Sequence, residues 1–172
     1  MGAADSTLFR DVNRVALHTG WLHGFMTAWA VGLGFAVLGL CVAAAWWRGR
    51  NLAAAPRAVS SAAWAAGAGA VAMTVSGALS LPGWQAALAG AVVAGLWLTD
   101  RVLARVALGA ALVLAFSLVY TGAQYPSDQV VGLLIGAGLA LGLRPAGTAV
   151  LRWLAIKVER SPLHLLVAAH RI

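Results

Sequence analysis

The sequence predicts an all-α, polytopic membrane bundle of about five transmembrane helices. An N-terminal interfacial helix precedes the bundle and a C-terminal amphipathic cytoplasmic tail follows it. Three observations predict this class. Hydrophobic residues fill 62% of the 172 positions, charged residues only 10%, and the mean hydropathy is +0.86. A soluble domain carries about 25% charge and cannot leave so much apolar surface wet. Several apolar stretches also reach the ~20 residues that cross ~30 Å of hydrocarbon as helix. Finally, the basic residues fall almost entirely on one side of those stretches. Residues 1–172 form one domain, with the interfacial helix at 1–20, the bundle at 22–143 and the tail at 144–172.

Taken in order, residues 6–17 form an amphipathic helix. Leu8, Val12 and Val15 recur at helical spacing, with Arg10, Asp11, Asn13 and Arg14 between them. Asp5 or Ser6 can cap it, and its apolar face suits the outer interface. Gly20-Trp21 then turns the chain inward, with Trp21 at headgroup depth. The spans follow at 22–47, 58–81, 84–99, 102–122 and 127–143. The third and fifth are short, so their ends are expected to sit in protein. A signal peptide at the first span fits poorly, because no short basic region precedes a short apolar core.

Topology follows from charge. Arg48, Arg50, Arg57, Arg101, Arg105, Arg144, Arg152, Lys157, Arg160 and Arg171 share one side, against Arg10 and Arg14 on the other. The N-terminus is therefore expected outside and the C-terminus in the cytoplasm. The loops at Pro82 and at residues 124–128 then share the outer face. The net charge of +7 reads as topology plus attraction to anionic headgroups. Nucleic-acid binding is not expected, since the basic residues are dispersed between spans. Cys41 is alone within a span, so neither a disulfide framework nor a metal cluster is available, and no cofactor is expected.

The spans are rich in small residues. Gly67, Gly69 and Gly77 punctuate the second; Gly132, Gly136, Gly138 and Gly142 give two Gly-x-x-x-Gly pairs in the fifth. In lipid such residues let backbones approach closely, either within the bundle or at a seam with a partner or second copy. Gly32-x-Gly34 is helix packing rather than a nucleotide motif. After Arg144-Pro145, Val150, Trp153, Leu154 and Val158 alternate with Arg152, Lys157, Glu159 and Arg160. Charges interrupt every apolar window, so this is a surface helix broken at Ser161-Pro162, with a short piece after it. Trp21, Gly132, Gly136, Arg144, Arg152 and Lys157 are the expected lipid and packing contacts.

One stretch carries chemistry. Ser117, five residues, Gln124, three residues and Asp128 keep the spacing of Ser-Arg, five residues, His, three residues, Asp. Upstream, Leu81-Pro82-Gly83-Trp84-Gln85-Ala86 occupies the place of a Pro-Ser-Gly-His or Pro-Ser-Asp-His signature. Leu8-Phe9-Arg10-Asp11-Val12-Asn13 and Trp21-Leu22-His23 resemble an entry helix. The chain thus resembles the type-2 phosphatidic acid phosphatase family, which includes lipid-phosphate phosphatases and vanadium haloperoxidases, and especially its small bacterial members. The resemblance implies a plasma-membrane helical bundle whose site faces outward. It also implies that the catalytic set has been lost. Leu118 stands at the phosphate-binding Arg, Gln124 at the nucleophilic His and Gln85 at the acid His. Trp84 replaces a small residue or an Asp beside the phosphate, where an indole would fill the cradle or make it an apolar groove.

Hydrolysis through a phospho-histidine needs a neutral imidazole, an orienting carboxylate, a proton donor and cations for the oxygens. The family's first-signature Lys and Arg have no counterpart, because no Lys or Arg lies between the second span and Pro82. Asp128 alone survives, and at a helix start a carboxylate more simply caps backbone N–H groups. Gln124 and Gln85 are expected to bond each other or Asp128. His18 and His23 lie on the outer side but diverge in a helix; His164 and His170 lie in the tail. No Ser-His-Asp triad, carboxylate dyad or phosphate loop is recognisable. The expected function is a catalytically inactive accessory subunit or lipid-binding partner in a membrane assembly, contacting lipids and a membrane protein or a second copy. The alternative is a divergent lipid-phosphate or polyprenyl-phosphate phosphatase acting at the outer face.

Overall fold

A computed structural model describes residues 3–50, 55–79 and 83–159. Pro82, the break at Ser161-Pro162, His164, His170, Arg160 and Arg171 lie outside the described residues, as does the side chain of Arg57. The described residues are all helical apart from short turns. In chain order they form α1 (Ala3–His18), α2 (Gly20–Ala28), a π-helical turn (Trp29–Leu33), α3 (Gly34–Arg50), α4 (Ala55–Ala78), α5 (Trp84–Trp97), α6 (Arg101–Tyr120), α7 (Pro126–Gly142) and α8 (Arg144–Glu159).

α2, the π turn and α3 run on as one apolar helix of 31 residues, Gly20–Arg50. The π turn places Ala30 and Gly34 inward, and Trp29 Nε1 lies 3.4 Å from the Ala110 carbonyl of α6. Val59–Ala78 and Arg101–Tyr120, 20 residues each, are also long and apolar enough to cross a membrane. α7 passes the same test only together with Arg144–Leu154, across a 57° bend. Length and composition therefore give three crossing helices, or four with the bent pair, where the sequence predicts about five. The difference lies in α5, which has 14 residues and spans only ~21 Å at 1.5 Å per residue.

α5 is short because it is the centre of the bundle. Gln85 at its start apart, it is apolar all round, as suits a helix surrounded by protein. Ala86, Ala87, Ala89, Gly90, Ala91, Val92, Gly95 and Leu96 are all buried. α7 packs on one flank, α4 on another and α6 on a third. Small residues set the spacing, since a Cβ on Gly90 would overlap the Leu133 carbonyl and one on Gly95 would sit 2.7 Å from Ala65 Cα. Gly132 and Gly136 face Gly83 and Ala87 across the α5–α7 seam with no room for a methyl group. Gly138 and Gly142 have nothing within 4 Å. The first Gly-x-x-x-Gly pair is thus an internal seam and the second faces outward.

α8 is a helix, as predicted, and bends back onto α4. Trp64 of α4 donates to the Ala140 carbonyl at 2.9 Å, and Gly147 sits against its ring where a Cβ would overlap. α1 packs across the ends of α6 and α7. Phe9, Val12, Asn13 and Ala16 turn toward the bundle, leaving Leu8, Val15 and Leu17 exposed along with Trp21. Asp5 does not cap α1, which starts two residues earlier. Its carboxylate instead accepts from Ser127 N at 3.1 Å and Ser127 Oγ at 2.8 Å, filling a free donor in the first turn of α7. The sequence could not show that capping partner, because it lies 122 residues away.

Candidate functional site

Two tight turns bring the signature positions together. α5 starts at Gly83, whose φ of 80° is left-handed and whose missing Cβ lets the Asp128 carbonyl approach. Gln85 is then the second residue of α5. α6 ends in a Schellman turn around Gly122, with φ of 72°. Gly122 N donates to Val119 O at 3.0 Å and Ala123 N to Leu118 O at 2.9 Å. Tyr125 is extended, Pro126 occupies the first helical position of α7, and Asp128 Oδ2 accepts from Tyr125 N at 3.2 Å. The chain therefore leaves α6, presents Gln124 and re-enters as α7 within a few residues.

The result is a chain of three carboxamides. Gln124 Nε2 donates to Gln85 Oε1 at 2.6 Å, and Gln129 Nε2 donates to Gln124 Oε1. The cluster joins α5, the α6–α7 turn and α7. Gln129 is buried, and its Oε1 has no hydrogen-bond partner among the described residues. Gln129 is not anticipated from the sequence. Its one signal is position, immediately after Asp128 in the first turn of α7. Asp128 takes no part in the cluster; its carboxylate is engaged in capping.

The other predicted positions lie around this cluster without joining it. Ser117 Oγ donates to Val113 O at 2.7 Å and lies 3.2 Å from Met26 Sδ, bringing α6 against α2. Leu118 is 3% exposed and belongs to the main core with Ala110, Ala111 and Leu114. Trp84 stacks on Phe35 of α3, with rings 6.3 Å apart and nearly parallel. Phe35 in turn lines an apolar groove of about 570 Å³ between α3 and α4. His18 bonds its ring to Arg14 O at 2.8 Å, and His23 lies 6.1 Å from the Tyr120 ring. Tyr120, almost fully buried, has its hydroxyl 2.7 Å from Thr19 Oγ1 and 3.0 Å from the Thr19 carbonyl. This contact and the Phe9–Tyr125 ring pair hold α1 over the glutamine end.

Electrostatically this end is neutral at its centre. Carboxamides donate and accept hydrogen bonds but neither attack nor protonate near neutral pH. Arg10 donates to Ser6 O and Arg14 lies 3.7 Å from Asp11, both exposed and both within α1. Among the described residues no hydrogen bond or ion pair joins a cation to the glutamines, and no group of His, Cys, Asp and Glu could hold a metal. The cations gather at the opposite end. There Arg48 pairs with Asp100 at 2.6 Å, and Asp100 caps α6 by accepting from Val102 N and Leu103 N. Arg50 stacks on Trp46 and Trp47, and Lys157 on Trp153. Compared with known proteins, the chain matches no family model, no curated protein and no solved structure.

Proposed function

We propose that this chain is a membrane protein built on a phosphatidic-acid-phosphatase-like frame whose hydrolytic site has become a structural hydrogen-bond cluster. It acts as an accessory or lipid-binding subunit. One observation carries the reading: the nucleophile and acid positions of the resemblance, 39 residues apart, meet at 2.6 Å as an amide–amide bond. Adjacency of those two positions is what the frame requires. Their identity as Gln124 and Gln85, together with Leu118 in the core, removes the chemistry. Purified protein is expected to release no phosphate from phosphatidic acid or from polyprenyl mono- and diphosphates above a detergent blank. Release that Gln124→Ala abolishes would show a working site instead.

The proposed orientation places the glutamine end outside and the arginine end in the cytoplasm, with α5 and α7 as short spans that complete about five and α8 on the cytoplasmic side. Support comes from the segregation of charge, with Arg48, Arg101 and Arg144 at helix ends opposite Gln85 and Gln124. A cysteine at exposed Ala123, with buried Cys41 replaced by Ala, should react with an impermeant thiol reagent applied to intact cells. A cysteine at exposed Arg101 should not. The reverse pattern overturns the orientation.

A further inference from the structure

We propose that a cleft between α4 and α8 at the arginine end binds a phosphate group, the chemistry shared by an anionic phospholipid headgroup and free inorganic phosphate. The cleft has a volume of about 360 Å³ and is lined by Ser60, Ser61, Pro145, Thr148, Ala149 and Arg152. It differs from two larger or comparable grooves of the bundle, which are lined by apolar residues such as Phe35, Leu38 and Val92 in one and Val93, Leu108 and Leu133 in the other. No carboxylate lines it. It is also a built feature rather than a gap between loose helices. The Trp64 bond to Ala140 and the close seat of Gly147 on the Trp64 ring fix α8 against α4 next to it.

Two of its donors, Ser61 and Arg152, are unengaged. Among the described residues neither the Ser61 hydroxyl nor the Arg152 guanidinium has a hydrogen bond or an ion pair. Thr148 already donates to Arg144 O at 2.7 Å, which leaves it as a wall residue. A phosphate diester carries one negative charge and accepts hydrogen bonds without donating any. A planar guanidinium fits two of its oxygens at once, and a serine hydroxyl can take a third contact. α8 starts at Arg144, so Pro145 and Thr148 lie in its first turns, where the helix dipole also favours an anion. A basic pocket between helices at the cytoplasmic surface is the setting in which anionic headgroups are held.

This inference rests on the membrane reading above but not on the absence of hydrolysis. The test uses the full-length chain in mild detergent at about 150 mM salt, near physiological screening. It is titrated separately with dioleoyl phosphatidylglycerol in mixed micelles and with inorganic phosphate. Arg152→Gln is expected to weaken phosphatidylglycerol binding about tenfold or more, and Ser61→Ala about threefold to tenfold. Arg105→Gln, on an exposed face of α6 outside the cleft, should change it less than about twofold. Saturable lipid binding without saturable phosphate binding assigns the cleft to a headgroup. Saturable binding of both, weakened by the same two cleft variants, assigns it to phosphate from either source. If neither probe saturates, or if Arg105→Gln and Arg152→Gln weaken binding equally, the cleft is only part of a general basic surface and the proposal falls. Phosphate release is a separate readout at the opposite end, so hydrolytic activity would sink the inactive reading and leave the cleft standing.

Discussion

Gly136→Ala is expected to cost about 3 kcal/mol or more, while Gly138→Ala, two residues along the same helix, changes stability by less than about 1 kcal/mol. Each replacement adds one methyl group to an α7 glycine. At Gly136 the new Cβ would overlap the Ala87 carbonyl, and that carbonyl belongs to the rigid backbone of buried α5, so it cannot rotate aside. The helices must separate, and separation loosens the adjoining contacts at Gly132, Gly90 and Gly83. At Gly138 nothing lies within 4 Å, and the small gain in helix propensity offsets any loss. Reversible unfolding in mixed micelles, titrated with denaturing detergent, measures both. Equal effects would mean that α5 and α7 do not meet at this seam. Loss of an oligomer without loss of monomer stability would move the first glycine pair from an internal seam to an external one.

The helices are legible because composition and hydropathy alone fix where apolar chain must be helical in lipid. Helix boundaries at 84 and near 101 and 126 follow from Gly83, Asp100 and Tyr125-Pro126, all local signals of start positions. The number of crossings is less legible. Hydropathy reads α5 and a lipid-facing helix alike, and only packing on three flanks reveals that α5 is enclosed by protein. The same blindness affects α1. Leu8, Val12 and Val15 look like one apolar face, but Phe9, Asn13 and Ala16 turn inward because Asp5, Phe9 and Thr19 have partners on α6, α7 and the turn between them. Those partners lie more than a hundred residues away in sequence.

The site is half legible. Spacing places Gln85 and Gln124 on one face, and the turn residues Gly83 and Gly122 are available to bring them together. Gln129 escapes a sequence reading because no periodicity or motif marks a buried amide one residue past a helix-capping Asp. Leu118 is legible as an absence of charge. Its burial in the core depends on the packing of α6 against α3 and α5, which spacing does not encode.

That burial decides what happens when the signature is restored. Gln85→His with Gln124→His is expected to fold, since imidazoles can replace the amide hydrogen bonds at this partly buried position, and to release no phosphate. Asp128, the expected orienting carboxylate, is held by Tyr125 N, and no cation bonded to the cluster neutralises a phosphate monoester carrying close to two charges. Adding Leu118→Arg should make matters worse. A guanidinium replacing a side chain that is 3% exposed in the apolar core would be a buried charge without a counterion, costing about 3–5 kcal/mol. Unfolding titrations should therefore rank the triple variant well below the double. If the introduced guanidinium instead escapes toward the site, it supplies one charge against two. A residual deficit of about 3 kcal/mol in the transition state still leaves turnover at least a hundredfold short, at about 1.36 kcal/mol per tenfold. Robust phosphate release by the double variant would show that the cations are dispensable. Release by the triple alone would show that the helix around residue 118 can turn its side chain outward, and that the loss of activity in this chain rests on three substitutions rather than on the remodelling of its core.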